Sequence, residues 1–365
     1  MNYQTATELA QIGNHSDLQT GAVSAPIYLS TTFSHPALGQ STGYDYTRTK
    51  NPTRTILEEA LANLEAGSQA IVTSSGMSAI QLVFNYFPAK SEFLVSRDLY
   101  GGSYRYFQEL ERQNASVFHY FEDFDSLKSQ INEEITAIFL ETPTNPLMQE
   151  VSITEAAKLA HQYRALLIVD NTFSTPLRQQ PLKEGADIVV HSGTKFLSGH
   201  NDLLAGIVVT KESEVGERLA WLSNTTGPTL SSFDSWLFIR SLKTLKVRFE
   251  QQERNAQKIA AALENISSIE KVLYPGIGAM ISFCVRDAAK IPEFLNRLNL
   301  ITFAESLGGV ETLITYPTTQ THGDIPKELR ESYGLTDHLL RLSIGIEDSQ
   351  DLLEDLICGF QVFDE

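Results

Sequence analysis

The stretch DIVVHSGTKFLSGHND, residues 187–202, joins an apolar, strand-like run to a loop of small hydroxyl residues that contains one lysine. Lys195 comes directly after Ser-Gly-Thr. A single lysine past a strand is most often a solvated surface residue, and for Lys195 alone that interpretation remains open. The alternative is a lysine at the C-terminal edge of a strand, beside hydroxyl groups of Ser192 and Thr194 that can hold a phosphate.

Apolar runs and helical patterns alternate along the chain from about residue 51. A helix is predicted to begin at Asn51-Pro52, because asparagine caps and proline starts helices. Strands are predicted at 70–74, 93–96, 117–121, 137–141, 165–170, 187–191 and 205–210, with helices among them at 103–115 and 153–164. This alternation is typical of an α/β fold, with a mostly parallel sheet covered by helices on both faces.

The pattern changes after about residue 230. A long helical stretch is predicted over 232–265, followed by strand-like pieces at 280–285, 301–304 and 311–316 and an amphipathic helix at 348–361. The 365 residues suffice for two domains. We therefore expect a polar arm over 1–50, a larger α/β domain over 51–235 and a smaller C-terminal α+β domain over 236–365.

The composition excludes several classes of protein. The formal net charge of −17 argues against nucleic-acid binding, which depends on lysine and arginine side chains that neutralise phosphates. The N-terminal MNYQTATELAQIGNH has neither the basic start nor the apolar run of a signal peptide, and nowhere do eighteen apolar residues follow one another. The two cysteines, Cys284 and Cys358, have no metal-ligand spacing, which suits a reducing compartment. We expect a soluble cytoplasmic protein with no membrane partner.

Ligands of open α/β sheets bind beyond the carboxyl ends of the strands. The run 165–169 ends in Asp170, a carboxylate that is costly to bury unless a cation meets it. The strand at 70–74 runs through Ser75 and Gly76 into a helix whose N-terminal N–H groups can bind a phosphate. Each feature alone is weak, since an aspartate can cap a helix and a Ser-Gly turn is common. Together with Lys195 they describe a site for pyridoxal phosphate (PLP), whose aldehyde condenses with a lysine amine and whose ring nitrogen needs a carboxylate partner.

Several motifs resemble the cystathionine γ-synthase/γ-lyase family of PLP enzymes of cysteine and methionine metabolism, in family order and over nearly the whole chain. They are YDYTRTKNPT (44–53), SSGMSAI (74–80), DLYGGSYRYF (98–107), ETPTNPL (141–147), VDNTF (169–173), HSGTKFLSGHNDLLAG (191–206), FAESLGGVETLITYP (303–317) and LLRLSIGIED (339–348). The resemblance implies a fold type I PLP-dependent transferase with a seven-stranded sheet. It also makes 51–235 the PLP-binding domain and 236–365 the domain that binds the substrate's carboxylate.

The resemblance assigns roles around the cofactor. Lys195 would carry the cofactor covalently, Asp170 would pair with its ring nitrogen and Tyr100 would stack on its ring; these three are the expected catalytic residues. Further cofactor contacts are expected from Ser75, Gly76, Met77, Asn145, Ser192 and Thr194. In the family, the Tyr-x-Arg of the arm reaches the phosphate of a neighbouring subunit, which assigns Tyr46 and Arg48 and implies a homotetramer built as a dimer of dimers.

The resemblance also assigns the substrate contacts. Arg341 would bind the α-carboxylate, because a guanidinium forms two parallel hydrogen bonds with a carboxylate. Ser306 and Asn145 would orient the substrate. Arg105 would meet a distal carboxylate, and Glu305 or Asp45 a distal ammonium. Without the resemblance, charged residues such as Arg105, Glu305 and Asp45 would be interpreted as solvated surface residues.

The implied activity is γ-replacement, in which an O-acylhomoserine and cysteine give cystathionine for methionine biosynthesis, with sulfide as an alternative thiol that would give homocysteine. The alternative within the family is a γ-lyase or β-lyase that eliminates from cystathionine. Glu305 in AESLGG favours γ-chemistry, and so does the short turn at 272–283, which lacks an insertion present in many members. Outside the family, a nicotinamide-dependent enzyme is disfavoured because no G-x-G-x-x-G follows the first strand. A cofactor-binding sensor without turnover is disfavoured by the complete set of Lys195, Asp170 and Arg341.

Overall fold

A computed structural model describes residues 3–365 of the chain. Its α-helices are α1 (Thr5–Gln11), α2 (Pro52–Leu64), α3 (Gly76–Phe84), α4 (Gly101–Arg112), α5 (Phe124–Gln130), α6 (Ile153–Gln162), α7 (Thr175–Arg178), α8 (Pro181–Glu184), α9 (Ser213–Thr226), α10 (Ser232–Leu242), α11 (Leu245–Leu263), α12 (Ile291–Arg297), α13 (Lys327–Ser332) and α14 (Ser349–Phe360). Its strands are β1 (Gln69–Thr73), β2 (Ser91–Ser96), β3 (Ser116–Phe121), β4 (Ile135–Glu141), β5 (Leu166–Asp170), β6 (Ile188–Ser192), β7 (Gly206–Thr210), β8 (Ile269–Leu273), β9 (Met280–Val285), β10 (Thr302–Phe303), β11 (Leu313–Thr315) and β12 (Leu339–Ser343).

The strands form two sheets. The larger has seven strands in the order β1-β7-β6-β5-β4-β2-β3, and the smaller has five in the order β10-β11-β12-β9-β8. β7 runs against its two neighbours in the larger sheet, whereas β5 pairs with β6, and β2 with β3 and β4, in parallel. A mostly parallel seven-stranded sheet with helices, together with a second, smaller sheet, confirms the predicted fold class.

The chain divides into two compact units, each made of two segments. One unit comprises the residues up to Pro88 together with Leu166–Lys246, and the other comprises Ala89–Ala165 together with Val247–Glu365. The predicted division into an arm and two domains, with boundaries at residues 50 and 235, stays a prediction.

The first unit contains the strands β1, β5, β6 and β7. Every residue of β7 is buried, as are the first four of β6, because a central strand packs apolar side chains on both faces. The helix α2 begins as the sequence predicts: the Asn51 side chain accepts the N–H groups of Thr53 and Arg54, and Pro52 occupies the first turn.

The second unit contains the smaller sheet and the strands β2, β3 and β4. β12 lies at the middle of the smaller sheet, antiparallel to both β9 and β11. All five of its residues are buried, Arg341 included. A buried arginine in a central strand needs polar partners, and these determine the site described below.

The structure differs from the sequence prediction in three places. The helical stretch predicted over 232–265 is two helices, α10 and α11, which Lys243 and Thr244 separate. The arm contains a helix, α1, where only turns were expected. β8 and β12 were not among the predicted strands. In residues 3–365, none of the helices combines the length and the apolar character that a bilayer crossing needs.

Candidate active site

Three strands of the first unit run in one direction. β5 is parallel to β6, and β7 is antiparallel to both β6 and β1, so β1 is parallel to β6. Their carboxyl ends therefore lie at one edge of the sheet and lead to Gly76, Asp170 and Lys195. This is the edge at which open α/β sheets bind ligands, and it carries the three features from which the sequence predicted PLP.

The turn between β1 and α3 approaches β6 closely. A Cβ atom built on Gly76 would lie 2.9 Å from Cβ of Ser192 and 3.1 Å from its Cα, so a side chain at position 76 would displace the backbone at Ser192. The Ser75 side chain accepts the N–H of Ser78 at 3.1 Å and caps α3, which leaves earlier N–H groups of the helix available for an anion. Gly76, Met77 and Ser192 thus supply donors suited to a phosphate.

Gly206, the first residue of β7, also makes room for the turn between β1 and α3. A Cβ atom at position 206 would lie 2.0 Å from the carbonyl oxygen of Ser75 and 2.4 Å from Oγ1 of Thr73. Only glycine therefore allows β7 to begin where the turn passes over it.

Asp170 is a half-buried carboxyl group at the end of β5. Burial raises its pKa, while hydrogen bonds from Thr172 and the nearby His191 act in the opposite direction. Its Oδ1 accepts the Thr172 N–H at 3.0 Å and the Thr172 hydroxyl at 2.5 Å. The same hydroxyl oxygen accepts the N–H of Ser192 at 2.9 Å, which ties the end of β5 to the end of β6. A carboxylate in this setting fits a cationic partner such as a protonated ring nitrogen.

A buried pair of Glu65 and His191 supports the same strand ends. Oε1 of Glu65 lies 2.7 Å from Nε2 of His191 and accepts Nδ2 of Asn171 at 2.9 Å, and the two side chains of the pair are each 1% exposed. Asn171 follows Asp170 in sequence, and His191 precedes Ser192. Glu65 could not be identified from the sequence, because nothing distinguishes a carboxylate at the end of α2 from a surface residue.

The structure places Lys195 in the loop after β6, where it is half-buried. Its backbone N–H donates to the carbonyl oxygen of Ser192 at 3.2 Å. Thr194 is close by, but its hydroxyl is engaged with the main chain of Ala205: it accepts the N–H at 3.1 Å and donates to the carbonyl oxygen at 3.3 Å. To hold a phosphate, Thr194 would have to give up the longer of these bonds. Its phosphate contact stays a prediction.

The arm residues Tyr46 and Arg48 are exposed. The Arg48 guanidinium lies 5.6 Å from the centre of the Tyr46 ring and donates to the carbonyl oxygen of Asn224. Asp45 is also exposed and accepts the Ser41 hydroxyl at 2.6 Å, with His35 at 3.5 Å. The positions of Tyr46 and Arg48 leave both side chains accessible to a second copy of the chain.

Arg341 is the most buried charged residue among the predicted substrate contacts, with 1% of its surface exposed. Its Nη1 donates to Oδ1 of Asn145 at 2.7 Å, and its Nη2 donates to the carbonyl oxygen of Ser306 at 2.9 Å and to Oγ1 of Thr315 at 3.1 Å. Within residues 3–365, its Nε has no hydrogen-bond partner. These bonds use three of the five guanidinium N–H groups, and an unpaired buried N–H such as that of Nε is costly, so Arg341 retains donors for a ligand.

Burial disfavours the charged form of Arg341. Desolvation lowers the pKa of its guanidinium to about 10, while Tyr100, Glu141 and Glu305 raise it. The exposed Glu305 thus acts on Arg341 through its charge. The backbone of Ser306 lies in the left-handed region, with φ of 93°, which is unusual outside glycine and directs the Ser306 carbonyl to the guanidinium.

Tyr100 stands at the start of α4, with 38% of its surface exposed, and its N–H donates to Oε2 of Glu141 at 3.0 Å. The two glycines that follow it are both required. A Cβ atom on Gly102 would lie 2.4 Å from the Tyr100 ring, and one on Gly101 would lie 2.1 Å from the carbonyl oxygen of Thr321. The Tyr-Gly-Gly motif therefore holds the aromatic ring against the first turn of the helix.

Arg105 does not join the group around Arg341. It pairs with Asp324, and both side chains are more than half exposed. Of the predicted substrate residues, the structure thus brings Arg341, Asn145 and Ser306 into contact, whereas Arg105 pairs elsewhere. Three further residues, Thr172, Thr315 and His322, were not predicted; they lie in or beside the family motifs and hydrogen-bond the predicted residues.

Known proteins resemble this chain over nearly its whole length. The family model for the Cys/Met metabolism PLP-dependent enzyme matches residues 6–361. A protein of Bacillus subtilis (strain 168) named cystathionine gamma-synthase/O-acetylhomoserine (thiol)-lyase is 53% identical over 98% of this chain and 96% of its own. A cystathionine gamma-lyase of the same strain is 44% identical over 94% of this chain and 96% of its own.

A solved structure shows the same fold. The crystal structure of cystathionine gamma synthase from Xanthomonas oryzae pv. oryzae, in complex with aminoacrylate and cysteine, superposes with a TM-score of 0.97. The alignment covers 100% of this chain and 99% of that one, at 38% sequence identity.

Proposed function

The chain belongs to the Cys/Met metabolism PLP-dependent enzymes, and from this premise we propose that it catalyses a γ-replacement on an O-acylhomoserine. The Cγ–O bond of the homoserine ester breaks and a Cγ–S bond to cysteine forms. The acyl group leaves as a carboxylic acid and the product is cystathionine. With sulfide in place of cysteine the same exchange gives homocysteine. Both products serve the synthesis of methionine.

Pyridoxal phosphate is the cofactor of this family, and when bound it supplies an electron sink for charge that develops on the amino acid. The residues of the first unit fit it. The turn at Gly76 is too close to Ser192 to admit a side chain, and it offers N–H donors at the start of α3 for the phosphate. Asp170, whose pKa burial raises, gains a cationic partner in the ring nitrogen.

Lys195 has two roles in this proposal. Its amine would hold the cofactor through the aldehyde group, and it would move protons at Cα and Cβ of the substrate. The loop after β6 places Lys195 at the carboxyl edge of the sheet, where Asp170 also lies. Tyr100, held by its two glycines, is proposed to stack on the cofactor ring.

The observation that carries the substrate class is the unpaired Nε of the buried Arg341. Three polar groups fix the rest of the guanidinium, so its orientation does not depend on a ligand. An α-carboxylate that accepts from Nε would satisfy this unpaired donor and form a charge-assisted hydrogen bond. We therefore assign the α-carboxylate of the amino-acid substrate to Arg341, with Asn145 and Ser306 as the residues that orient it.

The second candidate is elimination from cystathionine by a γ-lyase or β-lyase route. Its support is the 44% identity to a cystathionine gamma-lyase. The residues Lys195, Asp170 and Arg341 start both reactions, so they do not separate them. Glu305, whose charge acts on Arg341, favours γ-chemistry.

We also propose that the enzyme works in the cytoplasm as a homotetramer, built as a dimer of dimers. The exposed Tyr46 and Arg48 support this, because a second copy of the chain could receive them at its phosphate site. Sedimentation of the holoenzyme tests the assembly, and loss of bound cofactor in Arg48→Ala, with retained assembly, tests the contact.

A substrate panel tests the activity. Purified holoenzyme is given acetyl-, succinyl- or phosphohomoserine with cysteine or sulfide, and in parallel cystathionine alone. We expect thioether formation from at least one ester to exceed the release of oxo acid from cystathionine. Faster release of oxo acid from cystathionine would reverse the order of the two candidates.

A further inference from the structure

His322 is a buried histidine that the proposed reaction does not use. It lies between β11 and α13 in the second unit, with 1% of its surface exposed. Buried histidines are usually satisfied by local hydrogen bonds, so the identity of its partners decides what it does. Those partners belong to three separate loops.

The hydrogen bonds of His322 define its proton. Nε2 lies 3.2 Å from the carbonyl oxygen of Leu99 and 3.1 Å from that of Asn145. Carbonyl oxygens only accept, so Nε2 carries the proton and donates to both. Nδ1 lies 2.8 Å from Oγ1 of Thr321, whose hydroxyl donates to it. A neutral imidazole with one defined tautomer satisfies all these contacts.

Burial, aided by two nearby positive charges, keeps the imidazole ring of His322 neutral. Burial and the charge of Arg341, with a smaller effect from Arg330, lower the pKa of His322 to about 4. A neutral ring places no second cation beside the guanidinium that is to bind the carboxylate. The imidazole therefore acts through its shape and its donor, and not through charge.

Asn145 connects His322 to Arg341, the residue proposed to bind the carboxylate. The carbonyl of Asn145 accepts from His322, and its side-chain amide oxygen accepts from Nη1 of Arg341 at 2.7 Å. One residue thus receives a hydrogen bond at each end, from the imidazole and from the guanidinium. The peptide at Leu99, next to Tyr100, anchors the imidazole on the opposite side.

We propose that His322 is a positioning residue for substrate binding: its Nε2–H ties the Asn145 loop to the Leu99 loop and so sets the orientation of Arg341 toward the α-carboxylate. This inference rests on the proposed function, because it presumes that Arg341 binds that carboxylate. It adds a residue that contacts neither substrate nor cofactor and acts through Asn145.

Two replacements of His322 distinguish the effect of its Nε2–H donor from the effect of its side-chain volume. His322→Leu removes both hydrogen bonds, whereas His322→Gln keeps an N–H donor at a similar distance from the backbone. His338→Leu is the matched control: His338 lies in the same unit and its ring hydrogen-bonds a backbone carbonyl outside these loops, that of Val285 at 2.8 Å. Thr321→Val is a milder variant that removes only the donor to Nδ1.

The assay compares two probes that differ only at the carboxylate. L-Norleucine and L-norleucinamide are titrated into holoenzyme and followed by the absorbance of the cofactor. We expect His322→Leu to weaken norleucine binding by about 10- to 100-fold, the effect of two lost hydrogen bonds, and norleucinamide binding by less than about threefold. His322→Gln should retain most of the affinity for norleucine. Thr321→Val should weaken the binding of norleucine but not that of norleucinamide.

In steady-state assays, the KM for the acylhomoserine should rise in His322→Leu while kcat changes little. Equal weakening of both probes, or an equal effect in His338→Leu, would show a general structural role and overturn the proposal. If His322→Leu does not fold, unchanged norleucine affinity in Thr321→Val would overturn it instead. Failure of the proposed function is distinct, since wild-type holoenzyme would then show no thioether formation with any ester.

Discussion

Replacing Arg341 by lysine retains the positive charge but removes the fork of donors. In the structure Nη1 donates to Asn145, Nη2 donates to Ser306 and Thr315, and Nε is unpaired and available to the ligand. A lysine ammonium has three donors on one atom, so it cannot reach these groups and also present a donor in the plane of the carboxylate.

The expected effect follows from the number of bonds lost. At least one charge-assisted hydrogen bond to the substrate disappears, which is worth about 1.5–3 kcal/mol. Since about 1.4 kcal/mol corresponds to a factor of ten, kcat/KM for the amino-acid substrate should fall by about 10- to 150-fold. Most of the change should be a rise in KM, because the carboxylate is bound throughout the reaction.

The measurement is the initial rate of thioether formation at saturating cysteine, with the acylhomoserine varied. Arg330→Lys is the matched control, because Arg330 is buried in the same unit but pairs with Asp337 at 2.7 Å. A change in kcat/KM of less than about threefold in Arg341→Lys, or an equal loss in Arg330→Lys, would refute the assignment of the carboxylate to Arg341.

Three further predictions concern the cofactor site and the stability of the fold. Asp170→Asn should lower kcat on the order of 10²–10³-fold while the enzyme still binds PLP, because the charge opposite the ring nitrogen is lost; stopped-flow and cofactor titration measure the two. Gly76→Ala should weaken PLP binding, since its Cβ would meet Ser192 at 2.9 Å, whereas Gly323→Ala, with no neighbour closer than 3.5 Å, should not. Asp98→Asn should flatten the pH dependence of the unfolding free energy, measured in denaturant from about pH 5 to about pH 8. Burial raises the pKa of Asp98 to about 7, so its stabilising effect is complete below the unfolded pKa and is lost as the pH rises through about 7.

The central strands of the larger sheet, such as β4, β6 and β7, were predictable because they are apolar on both faces. The run predicted at 137–141 is β4, Ile135–Glu141, and the run at 187–191 is β6, Ile188–Ser192. β8 was missed because Glu270 and Lys271 are exposed and interrupt its apolar pattern. The break between α10 and α11 was missed because Lys243 and Thr244 carry no helix-breaking signal, unlike glycine or proline.

The site was predictable where a residue type has a direct chemical reason to be present. Lys195 and Asp170 follow strands and suggest a cofactor before any resemblance is considered. Residues that act through others carry no such signal. His322 contacts the backbone at Leu99 and Asn145, more than 170 positions away in sequence, and only folding brings them together.

The most direct test of the account is chemical labelling of Lys195. Borohydride reduction of the yellow holoenzyme, followed by proteolysis and mass spectrometry, should place a pyridoxyl phosphate group on the peptide that contains Lys195, and Lys195→Ala should yield no labelled peptide. An unlabelled Lys195 peptide in protein saturated with PLP, or a label on another lysine, would contradict the assignment from which the rest of the site is built.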